Sequence, residues 1–184
     1  MRKLASVALC ALIALPSFAK EREGVESAPV IEVGGKKLTL MGMGLRKKLW
    51  FKVYIASLYA EDPIADGAKF IASDQIKRVE MRMLRDLERG KIIEAVQQGF
   101  ENNAGPDMPR LKDRLDQFIK AIPDLKEKQA IVISWFPGRG TFLKAGSGEE
   151  ISIEGKDFAD ALFSVWLGKH PVDDELRNEM LSNR

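Results

Sequence analysis

The sequence predicts an α+β fold in which a large antiparallel sheet is covered by a layer of helices, as in an open-faced sandwich. Three observations lead to this prediction. Strand-like alternation of apolar and polar residues occurs in two parts of the chain, at 29–84 and 129–154. Helical periodicity dominates between these parts and after the second one. Short glycine-rich turns join neighbouring strand patterns, and one sheet with helices packed on it satisfies this order.

The first part of the chain is rich in strand patterns. Gly34-Gly35 separates two short patterns and predicts a hairpin. The glycine-rich stretch 42–46, which ends in Arg46, leads into a longer strand. Both faces of that strand are largely apolar, so we expect the sheet to be at least partly covered on both sides there. The predicted strands are 29–33, 36–41, 49–60 and 76–84, with a short helix at 65–72.

The remaining elements alternate between helices and strands. Asp86 and Glu88 mark the start of a helix at 89–103, and its apolar residues Ile92, Val96 and Phe100 share one face. Glycine and proline residues separate the segments that follow. These segments are predicted as a helix at 108–121, strands at 129–136, 141–145 and 150–154, and helices at 157–167 and 171–181.

The N-terminal segment 1–19 has the pattern of a secretory signal peptide. Arg2 and Lys3 form a positive start, residues 4–15 are apolar, and Ser17-Phe18-Ala19 is a small-x-small cleavage signal. The apolar run is too short to cross a bilayer as a helix. We therefore expect an exported, periplasmic protein with a single domain at 20–184.

The composition excludes several classes of function. The 184-residue chain has one histidine and one cysteine, so zinc sites, haem ligation and Ser-His-Asp catalysis lack most of their parts. We expect no metal and no cofactor. The 29 basic and 27 acidic residues become equal in number once Arg2 and Lys3 leave with the signal peptide. This neutral balance gives no indication of binding to nucleic acid or to an anionic membrane surface. We also expect no stable membrane insertion of the mature chain.

The strand at 49–60 carries the candidate ligand-binding residues. Arg46 lies at its start, beside apolar and aromatic side chains, and this combination suits a small organic anion. Lys52, Tyr54 and Tyr59 place further polar groups near a covered layer. Simpler roles remain open: Arg46 forms an ion pair within the protein, Lys52 extends into solvent, and Tyr54 bonds to the backbone.

Three segments resemble the chalcone isomerase-like family, in particular its bacterial, exported branch. Residues 42–61, which read GMGLRKKLWFKVYIASLYAE, are similar to the glycine-x-glycine-x-arginine signature of the family and the strand that follows it. Residues 84–103 resemble its central helix, and residues 158–172 resemble its closing helix and the turn after it. The resemblance covers about 29–181 and rests on the order and spacing of these segments.

The resemblance implies an antiparallel sheet, a helical layer and a ligand cleft between them. In the plant enzymes of this family, an arginine anchors the flavonoid, while a threonine, a tyrosine and an asparagine surround the reacting oxygen. Arg46 matches the arginine. Tyr54, Ile92 and Gly99 stand at the other three positions, and a late serine or threonine position falls near Val165. Flavanone formation is therefore not expected.

The set that remains resembles the fatty-acid-binding members of the family, which pair an arginine with a tyrosine against a carboxylate. Our leading hypothesis is an exported protein that binds a small amphipathic carboxylate, such as a fatty acid, through Arg46 and Tyr54 without catalysis. One alternative is an isomerase of the intramolecular lyase type that acts on a non-flavonoid substrate, with Tyr54 as acid or base. Another is a structural or partner-binding envelope protein.

Overall fold

The computed structural model describes residues 19–182. The predicted signal peptide lies outside this range, apart from Ala19, and it stays a prediction. The strands are β1 (Lys20–Arg22), β2 (Val25–Ser27), β3 (Val30–Val33), β4 (Lys36–Lys48), β5 (Phe51–Ala60), β6 (Lys77–Met83), β7 (Ala130–Phe136), β8 (Gly140–Ala145) and β9 (Ile151–Ile153). The α-helices are α1 (Gly67–Ala72), α2 (Arg89–Ala104), α3 (Met108–Lys120), α4 (Lys156–Leu167) and α5 (Asp174–Met180).

Seven strands form one antiparallel sheet in the order β3-β4-β5-β6-β7-β8-β9. Because spatial order follows chain order, each strand pairs with its neighbour along the chain. Helices α2 and α3 connect β6 to β7, and α4 and α5 follow β9. The predicted fold class, an antiparallel sheet with a layer of helices, is confirmed.

The main hydrophobic core lies between the sheet and its helices. Ala56 and Leu58 of β5 belong to this core, as do the aromatic residues Phe100 of α2, Phe118 of α3 and Phe158 of α4. Phe158 lies between the other two rings, with centroids 5.6 Å from Phe100 and 6.1 Å from Phe118. Ring pairs at these distances add about 0.5–1.5 kcal/mol beyond area burial, so this triad fixes three helices to one another.

The opposite face of the sheet is also covered, as the apolar pattern of β5 predicts. Strands β1 and β2 form a small hairpin that the sequence analysis missed, because each strand has only three residues. Val25 of β2 packs against the cluster that contains Ile55, and the hydroxyls of Ser27 and Ser57 are hydrogen-bonded at 2.7 Å. The residues of β5 therefore point alternately into two different buried layers.

The glycine-x-glycine-x-arginine segment lies inside a strand, which corrects the prediction that it precedes one. Strand β4 continues through this segment to Lys48, and the turn to β5 is formed by Leu49 and Trp50. The predicted strand ended at residue 41 because glycine weakens a strand and often marks a bend. Tertiary packing overrides that tendency here.

Helix α5 is the reason for the two glycines in β4. A Cβ atom on Gly44 would lie 2.6 Å from Leu176 Cδ1, and one on Gly42 would overlap the carbonyl oxygen of Glu179. Only glycine admits the helix at this distance. The helix itself begins at Asp174 rather than at residue 171, because Asp173 caps it by accepting a hydrogen bond from the Leu176 amide at 3.0 Å.

Candidate functional site

The β4–β5 hairpin places Arg46 and Tyr54 side by side. The two residues are register partners across the strands. Residues that oppose each other directly in an antiparallel pair have Cβ atoms about 4.5–5.5 Å apart on one face of the sheet. The structure therefore brings together two of the four candidate residues. The sequence analysis could not derive this contact, because it ended the strand before Arg46.

These two side chains line a cavity of about 420 Å³ between the sheet and helices α2, α3 and α4. Small-molecule sites in proteins have volumes of about 300–1,000 Å³. Most of the wall is apolar, and two methionines of β6 give it an adaptable surface. Lining residues from the strands and helices include Met81, Met83, Ile92, Phe118, Ile133 and Val165.

The charged residues of the cavity lie at one end. Arg46 is partly buried, whereas the other charged lining residues are exposed and mark the opening to solvent: Lys48, Arg85, Asp86, Glu88 and Lys91. The cavity is thus apolar inside and charged at its mouth. This arrangement matches a ligand that has a hydrocarbon body and one polar end.

The Tyr54 hydroxyl is held as a hydrogen-bond donor toward the cavity. Its oxygen accepts a hydrogen bond from the indole Nε1 of Trp166 at 3.1 Å. Burial raises the pKa of Tyr54 to about 12, although the nearby Trp166 and Arg46 favour the phenolate. The hydroxyl therefore keeps its proton at neutral pH. No acceptor for that proton occurs within residues 19–182, so it is available to a ligand.

Arg46 combines a structural contact with unused donors. Its Nη1 atom donates to Asp173 Oδ2 at 2.7 Å and to the carbonyl oxygen of Lys47 at 2.6 Å. The ion pair joins β4 to the start of α5. It is the ion pair within the protein that the sequence left open as a simpler role for Arg46. In the described part of the chain, the Nε and Nη2 atoms donate to no protein acceptor, and they can bind an anion.

Lys52 and Tyr59 lie away from this cavity. Lys52 is exposed, and its Nζ atom pairs with Glu23 Oε2 at 2.7 Å. Tyr59 belongs to the buried layer on the opposite face of the sheet, where its hydroxyl donates to the Ala28 carbonyl oxygen at 3.2 Å. Burial also raises the pKa of Tyr59. Neither residue lines the cavity wall near Arg46.

Three positions that the resemblance assigns to polar groups of the plant enzymes are apolar here. Ile92 and Val165 form part of the cavity wall. Gly99 lies where α2 crosses α4, and a Cβ atom on it would be 2.7 Å from Val165 Cγ1. An asparagine would not fit at Gly99 without moving the helices apart.

The sequence analysis did not identify Trp166 and Asp173 as the side chains that contact Tyr54 and Arg46. Trp166 is 112 positions from Tyr54 in the chain, and no sequence pattern connects them. Asp173 caps α5 with one carboxylate oxygen, and its other carboxylate oxygen accepts a hydrogen bond from Arg46. Both contacts depend on where α4 and α5 pack, which local patterns do not contain.

Two further properties of residues 19–182 concern metals and membranes. Across this range, no group of three or more histidine, cysteine, aspartate or glutamate side chains is placed to hold a metal ion. The helices between the same limits are too short or too polar for any of them to cross a membrane.

Comparison with known proteins identifies the family of this chain and a solved structure that shares its fold. A search of curated proteins found no match. A crystal structure of a fatty-acid binding protein from Arabidopsis thaliana is similar, with a TM-score of 0.65 and 18% sequence identity over 91% of this chain and 96% of that chain. At this identity the similarity shows a shared fold. A family model described as chalcone isomerase-like matches residues 19–182, nearly the whole chain, and the protein therefore belongs to the chalcone isomerase-like family.

Proposed function

We propose that this protein binds a fatty acid, or another small amphipathic carboxylate, and releases it unchanged. The observation that carries the proposal is the apolar cavity of about 420 Å³ with Arg46 and Tyr54 in its wall. A carboxylate bound there would accept hydrogen bonds from the free guanidinium nitrogens and from the Tyr54 hydroxyl. Its hydrocarbon chain would cover the apolar wall and displace water from it.

Two further observations support this proposal. The similar Arabidopsis protein is a fatty-acid binding protein, and it shares the fold that forms the cavity. The resemblance that pairs an arginine with a tyrosine agrees with the register of Arg46 and Tyr54. We also propose that the protein works in the periplasm, on the basis of the signal peptide pattern at 1–19.

Binding without catalysis accounts for the site better than an isomerase does. Tyr54 has a pKa raised to about 12, so a phenolate base would be rare at neutral pH. Ile92 and Val165 offer no hydrogen bonds to a reacting oxygen. Tyr54 and Arg46 can hold a charged end group, but the described wall contains few groups to position a second reacting centre.

The test is a calorimetric titration with dodecanoate and with dodecanol, which has the same chain and no charge. We expect dodecanoate to bind at least about tenfold more tightly, because each hydrogen bond to a charged group contributes about 1.5–3 kcal/mol. Lipid extracted from the purified protein, analysed by mass spectrometry, should contain carboxylates.

A pair of tryptophan variants locates the binding site. Ala95 lies in the cavity wall but is exposed, so Ala95→Trp should obstruct the cavity without disturbing the core. Gln97→Trp adds the same side chain to an exposed position of the same helix outside the wall. We expect weaker dodecanoate binding only in Ala95→Trp. Equal affinities for acid and alcohol, or equal effects of the two variants, would refute the proposal.

A further inference from the structure

The tip of the β4–β5 hairpin exposes three consecutive large apolar residues. Leu49, Trp50 and Phe51 are 77%, 78% and 47% exposed. Among residues 19–182, the one other exposed large apolar residue is Val30, on a separate strand. The other two tryptophans, Trp135 and Trp166, are buried. Contiguous exposed apolar side chains of this size mark an interaction site.

The backbone of this turn carries a strained residue. Leu49 is the first of two residues between the paired Lys48 and Phe51, and its φ angle is 57°. Two-residue hairpin turns favour glycine, asparagine or aspartate at positions with positive φ. A leucine here keeps an apolar side chain at the tip despite a local conformational cost.

Basic residues surround the apolar tip. Lys47, Lys48 and Lys52 flank it along the two strands, and the Arg85 guanidinium stacks on the Phe51 ring at 4.8 Å from its centroid. Lys47 and Lys52 have carboxylate partners at 3.5 and 2.7 Å, namely Glu175 and Glu23. No ion pair links Lys48 or Arg85 to another residue of the described chain.

Glu175 and Glu23 offset the charge of Lys47 and Lys52, whereas the acidic residues at the cavity mouth form no ion pair with Lys48 or Arg85 in the described chain. Asp86 also lies at the cavity mouth, but it is paired with Lys126 at 2.8 Å. Glu88 lies at the mouth as well. Lys48 and Arg85 therefore keep positive charge beside the apolar tip without an ion-pair partner in the described chain, although basic and acidic residues beyond the predicted signal peptide are equal in number.

The tip and the cavity mouth are one continuous surface. Leu49 and Phe51 line the mouth, together with Lys48 and Arg85. Trp50 lies at the tip without lining the cavity. A surface that receives the tip would therefore also face the opening through which a ligand enters.

From this arrangement we infer that the hairpin tip docks reversibly on an anionic phospholipid surface. Trp50, Leu49 and Phe51 would enter the headgroup region, where tryptophan is favoured, and the basic residues would contact lipid phosphates. The contact is peripheral and involves no membrane-spanning element. The proposal that docking serves to collect or deliver the ligand rests on the proposed function. The docking itself does not depend on that function.

Charge favours a lipid surface over a second copy of the chain as the occupant. Two hairpin tips that met head to head would bring their basic residues together, and like charges would oppose the contact. An anionic bilayer offers both a negative surface and an apolar layer beneath it. The two chemical properties of the tip are then satisfied at once.

The test is flotation with vesicles of phosphatidylglycerol and phosphatidylcholine, compared with phosphatidylcholine alone. We expect binding to the anionic vesicles that falls at high salt. Lys48→Gln should weaken it about fivefold, since each basic residue near such a surface contributes about that factor. Lys37→Gln, at an exposed lysine away from the tip, should have no effect.

The role of the aromatic tip is tested with Trp50→Ser and the control Val30→Ser. We expect Trp50→Ser to lose on the order of tenfold in vesicle affinity, and Val30→Ser to bind like the wild type. Trp50 fluorescence, taken as the difference between the wild type and Trp50→Phe, should shift to shorter wavelength with anionic vesicles. Dodecanoate affinity without vesicles should stay within about twofold in Trp50→Ser, because Trp50 does not line the cavity.

Three results would overturn the inference. The first is failure of the wild type to bind anionic vesicles at low salt. The second is equal vesicle binding by Trp50→Ser and the wild type. The third is self-association that depends on Trp50, seen by analytical ultracentrifugation, without vesicle binding. None of these would affect the dodecanoate titration, so docking and ligand binding fail separately.

Discussion

Separate replacements of Arg46 and of Asp173 distinguish a ligand-binding role of Arg46 from a purely structural one. The two side chains are joined at 2.7 Å and are 22% and 17% exposed. Arg46→Gln removes the charge that would attract a carboxylate. Asp173→Asn removes the competing carboxylate and keeps a good helix cap, because asparagine also accepts from the Leu176 amide. Both variants lose the same ion pair.

The expected changes in ligand affinity have opposite signs. Two carboxylates on different edges of one guanidinium lie roughly 6 Å apart and repel by about 3 kcal/mol at an effective dielectric of about 20. Partial exposure of Asp173 reduces this to about 1 kcal/mol, so Asp173→Asn should bind dodecanoate about fivefold more tightly. Arg46→Gln leaves Asp173 unpaired beside the ligand, and its affinity should fall by about 2–4 kcal/mol, or roughly 30-fold or more.

Isothermal titration calorimetry with dodecanoate measures both changes, and thermal unfolding of each variant measures the structural loss. If Arg46 acts only as a structural partner, the two variants should lose stability and affinity together. Parallel loss of dodecanoate binding in both would therefore refute the assignment of Arg46 as the anchor. Divergent affinities at similar stability would support it.

Three further predictions address the cavity wall, the helix contact and a buried charge. Tyr54→Phe should weaken dodecanoate binding about 10- to 150-fold, because one hydrogen bond to a charged group is lost, as measured by the same titration. Gly44→Ala should lower the free energy of unfolding in urea by about 1–3 kcal/mol, because its Cβ would lie 2.6 Å from Leu176 Cδ1. Lys77 is fully buried, and desolvation lowers its pKa from 10.5 to about 8. Between pH 8 and 10.5 the unfolded chain holds more protons than the folded one. The stability of the wild type relative to Lys77→Met should therefore increase with pH in this range, by up to about 3 kcal/mol.

Each of these predictions has a control or an outcome that contradicts it. Unchanged dodecanoate affinity in Tyr54→Phe would show that the Tyr54 hydroxyl does not contact the ligand. Gly90→Ala is the control for Gly44→Ala, because a Cβ at Gly90 would meet no atom within 4 Å apart from its chain neighbours and the backbone of its own helix, and it should be neutral or stabilising. For Lys77, a stability difference that stays flat from pH 7 to 10.5 would show that the lysine has an ordinary pKa in the folded protein.

Much of the fold was predictable because the elements carry strong local periodicity. The strands at 76–84 and 129–136 and the helices at 89–103 and 157–167 lie within a few residues of their observed bounds. Two errors in the predicted strands, the early end of β4 and the missing β1–β2 hairpin, have a common cause. Strand β4 was cut short at its glycines, and the β1–β2 hairpin was missed, because in both places neighbouring elements stabilise a strand whose own sequence is weak.

The site was predictable only in part. The sequence singled out Arg46 and Tyr54, and the register of the hairpin places them together. It could not separate Tyr54 from Tyr59, because side chains of one strand alternate between two faces and both faces here are apolar. Lys52 instead pairs with Glu23, between the two strands of the β1–β2 hairpin that the sequence did not reveal. Which face meets the helices was decided by packing.

The sequence by itself determined the fold class, the family and the presence of an arginine beside an apolar wall, because these follow from local periodicity and from residue order. Only the tertiary structure decided that Gly42 and Gly44 serve the approach of α5, and that α5 supplies the carboxylate for Arg46. It also decided that Trp166 orients the Tyr54 hydroxyl. The reason is physical: each contact joins residues far apart in the chain, and their distance depends on the packing of whole elements.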